Sequence, residues 1–132
     1  MNLSDQVVSL ELAKKMNWLG FNQESVWWWN GTKCGIGGQI VGLEPMKWIL
    51  SKRIKGSAID NYSAFTVAEL GEMLPDEVKC TVGTAKLGTN CKDFVYYYKQ
   101  APHIAICYDE VGDTEANARA KMLIYLKENK LL

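Results

Sequence analysis

The stretch FTVAELGEMLP, Phe65 to Pro75, decides how the second half of the chain is organised. Thr66-Val-Ala-Glu69 is a capping box, in which the Thr66 hydroxyl and the Glu69 carboxylate each satisfy a free backbone N–H at a helix start. Phe65 and Leu70 flank it at the spacing of a hydrophobic staple, and Pro75 stops the helix after Leu74, so a helix is expected over 67–74. Working downstream, three strands are expected within 79–109: about Lys79 to Gly83, Asp93 to Lys99 and His103 to Asp109. Gln100-Ala101-Pro102 is short enough to join the last two as a hairpin. A long helix over 114–128 follows. Asp113 reads as its cap, Glu115 puts negative charge near the positive helix end, and Lys127 and Lys130 lie at the other end. Ala116, Ala120, Leu123 and Ile124 form its inner stripe, and Met122, Tyr125 and Leu126 widen that stripe into a second packing surface.

Upstream, Val8, Leu12, Met16 and Leu19 share one face of a helix expected over 4–19, capped by Ser4 or Ser9. Gly20 offers a left-handed stop, with Phe21 folding back on the last turn. Ser25 to Asn30 (SVWWWN) reads as an aromatic strand over 25–30, because large rings suit a pleated surface. Five of the twelve residues from Gly31 to Gly42 are glycine, which is loop chemistry over 31–42. After Glu44-Pro45, the spacing of Met46, Ile49, Leu50 and Ile54 fits a short helix, and a strand over Trp48 to Ser51 fits as well. The elements together predict a single α+β domain, 1–132: an antiparallel sheet of four or more strands, with the capped short helix and the long C-terminal helix packed on it.

Composition bounds the function. The chain has 132 residues, 48% hydrophobic and 23% charged, which excludes a disordered or low-complexity chain. Fifteen basic residues balance fifteen acidic ones, so no global field favours polyanions or anionic membranes. No apolar run approaches the roughly 18 to 20 residues that span a bilayer, and the start shows no secretory pattern, so a cytoplasmic protein without membrane contact is expected. Cys34, Cys80, Cys91 and Cys107 form no Cys-x-x-Cys pair, and buried free thiols are the better reading.

Two of these segments, FTVAELGEMLP and DTEANARAKMLIYLKENK (Asp113 to Lys130), together with SLELAKKMNWLGFNQES (Ser9 to Ser25), resemble small phage and prophage proteins of gut Bacteroidetes type. The resemblance covers about a third of the chain. It implies a phage-related cytoplasmic protein, and it carries over no activity and no catalytic residue. The order helix, strands, helix from Thr66 to Glu128 also follows that of a double-stranded-RNA-binding domain. Where such a domain places phosphate-gripping lysines, this chain reads Asp113-Thr114-Glu115, so the function does not follow.

Gly35-Ile-Gly37-Gly38 begins like a dinucleotide fingerprint but ends on Ile40, and Gly83 to Gly88 has P-loop glycine spacing without its lysine; both read as connections. His103 and Cys107 share a strand face but stand about 13 Å apart at roughly 3.3 Å per residue, too far for a nucleophilic pair. Asp109, Glu110, Asp113 and Glu115 form the densest acidic cluster, which capping and helix-dipole complementarity explain. No catalytic residue, metal or cofactor is expected. The most unusual features are Trp27, Trp28 and Trp29 with Tyr96, Tyr97 and Tyr98. Alternation opposes Trp28 to Trp27 and Trp29, and Tyr97 to Tyr96 and Tyr98; rings on an open face could stack bases or anchor a protein partner, whereas helices over both faces would make them core. The expected function is therefore non-enzymatic: binding a protein partner, or self-association, through these rings or through Met122 and Tyr125. The alternative is a nucleic-acid-binding accessory protein using Lys47, Trp48, Lys52, Arg53 and Lys55.

Overall fold

The protein is described here by a computed structural model covering residues 2–32, 47–56, 59–80, 83–90, 92–100 and 104–132. The expected α+β class is found, with the antiparallel strands divided between two sheets rather than gathered in one. The chain opens with α1 (Leu3–Gln6) and α2 (Leu10–Trp18) in place of one helix over 4–19. The break has a cause: Val7 forms a β-bridge to Thr66, and the Val8 N–H donates to the Phe65 carbonyl at 2.9 Å. Both valines are fully buried in this extended stretch. Ser9, not Ser4, then caps α2 by accepting from the Leu12 N–H. Gly20 takes the left-handed conformation (φ +87°) that ends the helix, and the Phe21 N–H returns to the Met16 carbonyl at 3.1 Å.

The N-terminal sheet consists of β1 (Trp28–Thr32), β2 (Lys47–Ser51) and β3 (Ile59–Ser63), ordered β2-β1-β3. The aromatic strand thus starts and ends later than 25–30. Ser25 to Trp27 form a turn instead, in which the Ser25 hydroxyl accepts from the Trp27 N–H. Gly31 and Thr32 belong to this strand rather than to a loop, because Gly31 lies opposite Trp48. The strand reading of Trp48 to Ser51 is the one realised, and no helix spans these residues. The remainder of the expected 31–42 loop, Gly35 to Ile40 included, lies outside the described residues.

Next comes α3 (Val67–Met73), with both capping-box bonds formed: the Glu69 N–H donates to Thr66 Oγ1 at 3.2 Å, and the Thr66 N–H donates to Glu69 Oε1 at 3.0 Å. The C-terminal sheet is an antiparallel meander of β4 (Glu77–Cys80), β5 (Gly83–Thr89), β6 (Phe94–Lys99) and β7 (Ala105–Val111). Four strands replace the expected three within 79–109. The added one is β5, whose GTAKLGT has weak strand propensity and is held by its partners, with Leu87 opposite Tyr97 and Gly88 opposite Tyr96. The segment read as P-loop-like is thus a strand. The hairpin residues Ala101 and Pro102 lie outside the described residues.

The last helix, α4 (Glu115–Glu128), is capped by Thr114 rather than Asp113. The Thr114 hydroxyl accepts from the Asn117 N–H, while Asp113 accepts from the Asn117 side chain at 2.6 Å. Asn117 Oδ1 in turn accepts from the Ser9 N–H at 2.8 Å and so ties the start of α2 to the start of α4. This helix packs against α1, α2, α3, β6 and β7. Its expected stripe of Ala116, Ala120, Leu123 and Ile124 is buried, and so are Ala118, Met122 and Leu126. The second packing surface is therefore internal. Phe65, Leu70, Val78, Ala85, Val95 and Tyr97 join the same core cluster, with Trp29 and Tyr62 of the N-terminal sheet packed against it. No helix among the described residues is long and apolar enough to cross a membrane.

Candidate functional site

Alternation along β6 sends Val95 and Tyr97 into the core and leaves Phe94, Tyr96 and Tyr98 on the opposite face. The three outer rings form a ladder: Phe94 and Tyr96 stack at 5.1 Å between centroids, and Tyr96 and Tyr98 follow at 5.8 Å. Tyr96 lies across Gly88 of β5, where a Cβ would fall 2.5 Å from its ring, so the glycine lets the ring lie flat on the neighbouring strand. A register shift between Tyr97 and Tyr98 brings Ile106 opposite Tyr98. Ile104 is 77% exposed and Ile106 52% exposed. These isoleucines, the three rings, Asn90 and Gln100 line a shallow groove of about 570 Å³. Asn90 holds one end of the groove, since its Oδ1 accepts from the N–H groups of Lys92, Asp93 and Phe94.

The N-terminal sheet has two unlike faces. Trp29, Gly31, Trp48, Tyr62 and Asp60 share the face toward α2: the Trp29 indole N–H donates to the Val8 carbonyl at 2.9 Å, and Lys14 of α2 sits over the Trp48 ring at 4.7 Å. On the other face lie Trp28, Asn30, Lys47, Ile49 and Asn61. Because β1 is central, the connection from β2 to β3 must cross it, and Asn30 holds that strap. The side chain of Asn30, 3% exposed, donates to the Lys52 carbonyl at 3.1 Å and accepts from the Ile54 N–H at 3.0 Å. It also accepts from Asn61, which donates in addition to the Ile54 carbonyl. Thus fixed, the strap places Lys52 Nζ over the Trp27 ring at 4.6 Å and the Arg53 guanidinium over the Trp28 ring at 4.8 Å.

The expected residues are therefore redistributed. Tyr97 and Met122 are fully buried and Trp28 is 7% exposed, so they are core residues and not contact residues. The Tyr97 hydroxyl donates to the Pro75 carbonyl at 2.7 Å, and burial, with the nearby Asp76 charge, raises its pKa far above the ordinary phenol value. Tyr125 packs its ring against Tyr108 at 5.4 Å. Trp27 precedes the strand, so alternation does not govern it, and Trp29 anchors the sheet to the core. Trp48 faces away from Asn30 and its strap, so the basic segment does not surround it; Lys52 and Arg53 rest on Trp27 and Trp28 instead. Tyr96 and Tyr98 remain on an open face, joined by Phe94, Ile104 and Ile106, which sequence reasoning passed over. The alternation of FVYYYK and of IAI contained that signal. The role of Asn30 had no comparable signature.

Cys80 and Cys107 are free, half-buried thiols; burial and a hydrogen bond with Cys80 raise the Cys107 pKa. Cys34, Cys91 and His103 lie outside the described residues. Within the acidic cluster, the hydrogen bond from Asn117 holds Asp113 below the usual carboxylate range, and Glu115 pairs with Arg119 at 2.7 Å. Among the described residues, no three His, Cys, Asp or Glu side chains converge to hold a metal ion. No protein-family model, curated protein or solved structure matches the chain.

Proposed function

We propose that this chain is a phage-related cytoplasmic protein that acts without catalysis, as an interaction module binding a protein partner through the outer face of its C-terminal sheet. One observation carries the reading: the Phe94–Tyr96–Tyr98 ladder and the exposed Ile104 and Ile106 form a contiguous, mostly apolar groove across β6 and the edge strand β7. Scattered apolar side chains on a surface need no explanation, but a contiguous aromatic and aliphatic patch does. Tyrosine rings give large contact area at low entropic cost, and their hydroxyls keep the face soluble between encounters. The charged neighbours are balanced, with Lys86 opposite Tyr98, Glu77 opposite Lys86 and Asp109 opposite Tyr96, which suits a protein surface better than a polyanion.

The experiment compares the tagged full chain with a Tyr98→Ser plus Ile106→Ser variant. Both are incubated with nuclease-treated host lysate, and the wild type is also examined by analytical ultracentrifugation. A partner recovered by the wild type and lost from the variant, at unchanged circular dichroism, supports the reading. Identical recovery by both chains overturns it. A wild-type dimer that the variant abolishes would move the partner from another protein to a second copy of this chain.

A further inference from the structure

We infer that the strap face of the N-terminal sheet is a second binding surface, which takes single-stranded nucleic acid through its phosphates with little regard to sequence. The cations come first. Lys47, Lys52, Arg53 and Lys55 are all exposed, and none of the four takes part in an ion pair among the described residues. The carboxylate nearest in register, Asp60, points to the opposite face with Gly31 and Trp48. An overall balance of fifteen against fifteen charges therefore conceals a local excess of positive charge. Such an excess favours an anionic polymer whose condensed counterions are released on binding.

Two of the four cations, Lys52 and Arg53, are also held in place, which distinguishes this face from an ordinary solvated one. Free lysine and arginine side chains lose rotamer freedom when they grip a ligand. Here Lys52 and Arg53 already rest on the Trp27 and Trp28 rings, and the backbone that carries them is clamped by the buried Asn30. Indole quadrupoles orient the two cations without neutralising them, so their charge remains available to phosphate. A buried asparagine in the central strand, spending its donor and acceptor on the strap, is the structural investment that fixes this geometry.

The apolar residues select the form of the nucleic acid. Ile49 and Ile54 are exposed and lie between the cations, Ile49 in β2 and Ile54 on the strap. A duplex keeps its bases stacked inside and offers such a face only its backbone. A single strand presents unstacked bases that can cover the isoleucines while its phosphates meet Lys47, Lys52, Arg53 and Lys55.

Fluorescence anisotropy of labelled oligothymidylate, 20 nucleotides long, with the full chain tests the inference. If three or four phosphates are neutralised, affinity should fall roughly 20- to 50-fold between 50 and 200 mM salt, and a duplex of equal length should bind more weakly. Lys52→Glu plus Arg53→Glu should abolish binding, and the milder Lys47→Gln plus Lys55→Gln should lower the salt slope at unchanged fold. The Tyr98→Ser plus Ile106→Ser variant should bind oligothymidylate as the wild type does, which separates this surface from the groove on the other sheet. Absence of binding at 50 mM salt overturns the inference, as does unchanged affinity in both charge variants. Binding confined to anionic phospholipid vesicles, with none to the oligonucleotide, overturns it too.

Discussion

The Trp48 ring lies directly over Gly31, its register partner in the central strand of the N-terminal sheet, so closely that a Cβ on Gly31 would stand 2.6 Å from the indole. The C-terminal sheet repeats the device with Tyr96 over Gly88. In both places a glycine that weakens its own strand receives a cross-strand ring that restores apolar cover. The ring then reaches further, Trp48 to Tyr62 at 5.7 Å and to Lys14 of α2.

Gly31→Ala should therefore destabilise the protein by about 1–3 kcal/mol, because the ring must leave its position in an otherwise packed site. Trp48→Ala should also destabilise, but the double variant should cost less than the sum of the two. Urea unfolding of all four proteins measures that coupling. Strict additivity would show that the ring is not what excludes the methyl group.

Asn30→Leu should cost about 1–3 kcal/mol, since the Ile54 N–H and the Asn61 side chain lose the acceptor that now serves them. The loss should be local as well as global. Amide exchange at Ile54 should accelerate more than exchange at Leu70, deep in the core, and equal acceleration would contradict the assignment of Asn30 to the strap.

Tyr97→Phe removes the hydrogen bond to the Pro75 carbonyl at a cost of about 1 kcal/mol near neutral pH. The raised pKa adds a pH signature. The unfolded phenol loses its proton near pH 10 while the folded one keeps it, so the native state is disfavoured as pH rises through and beyond about 10. The Phe variant lacks this group, and its stability should decline less steeply in the same alkaline window. Parallel curves for the two proteins would count against a buried, neutral Tyr97.

Asp113→Asn tests the opposite sign. The folded carboxylate has a lowered pKa because Asn117 donates to it, so its contribution is present above the unfolded value near 4 and fades as pH falls through the folded one. The wild type should be the more stable protein at pH 7, and the gap should close toward pH 2. Thermal unfolding across that range gives the comparison; a gap that stays constant would assign the difference to packing rather than ionisation.

The parts of the fold legible in the sequence are those specified by neighbours along the chain. The capping box at Thr66 and Glu69, the left-handed stop at Gly20, the inner stripe of α4 and the alternation of FVYYYK all act within a few residues, and each appears where its pattern places it. What the tertiary structure alone decided depends on partners distant in sequence. Val7 and Val8 leave the helical path because Phe65 and Thr66 supply backbone partners, and β5 becomes a strand because Leu87 and Gly88 meet Tyr97 and Tyr96. Met122 and Tyr97, which composition alone could have placed on a surface, are enclosed because α4 is packed from several sides. The candidate surfaces follow the same division. Their chemistry, aromatic rings and an isolated run of cations, is written in the local sequence. Which rings stay open and which cations gather on one face was settled by strand register and by the strap over Asn30, since neither exists until separate strands, and residues as far apart as Asn30 and Asn61, are in contact.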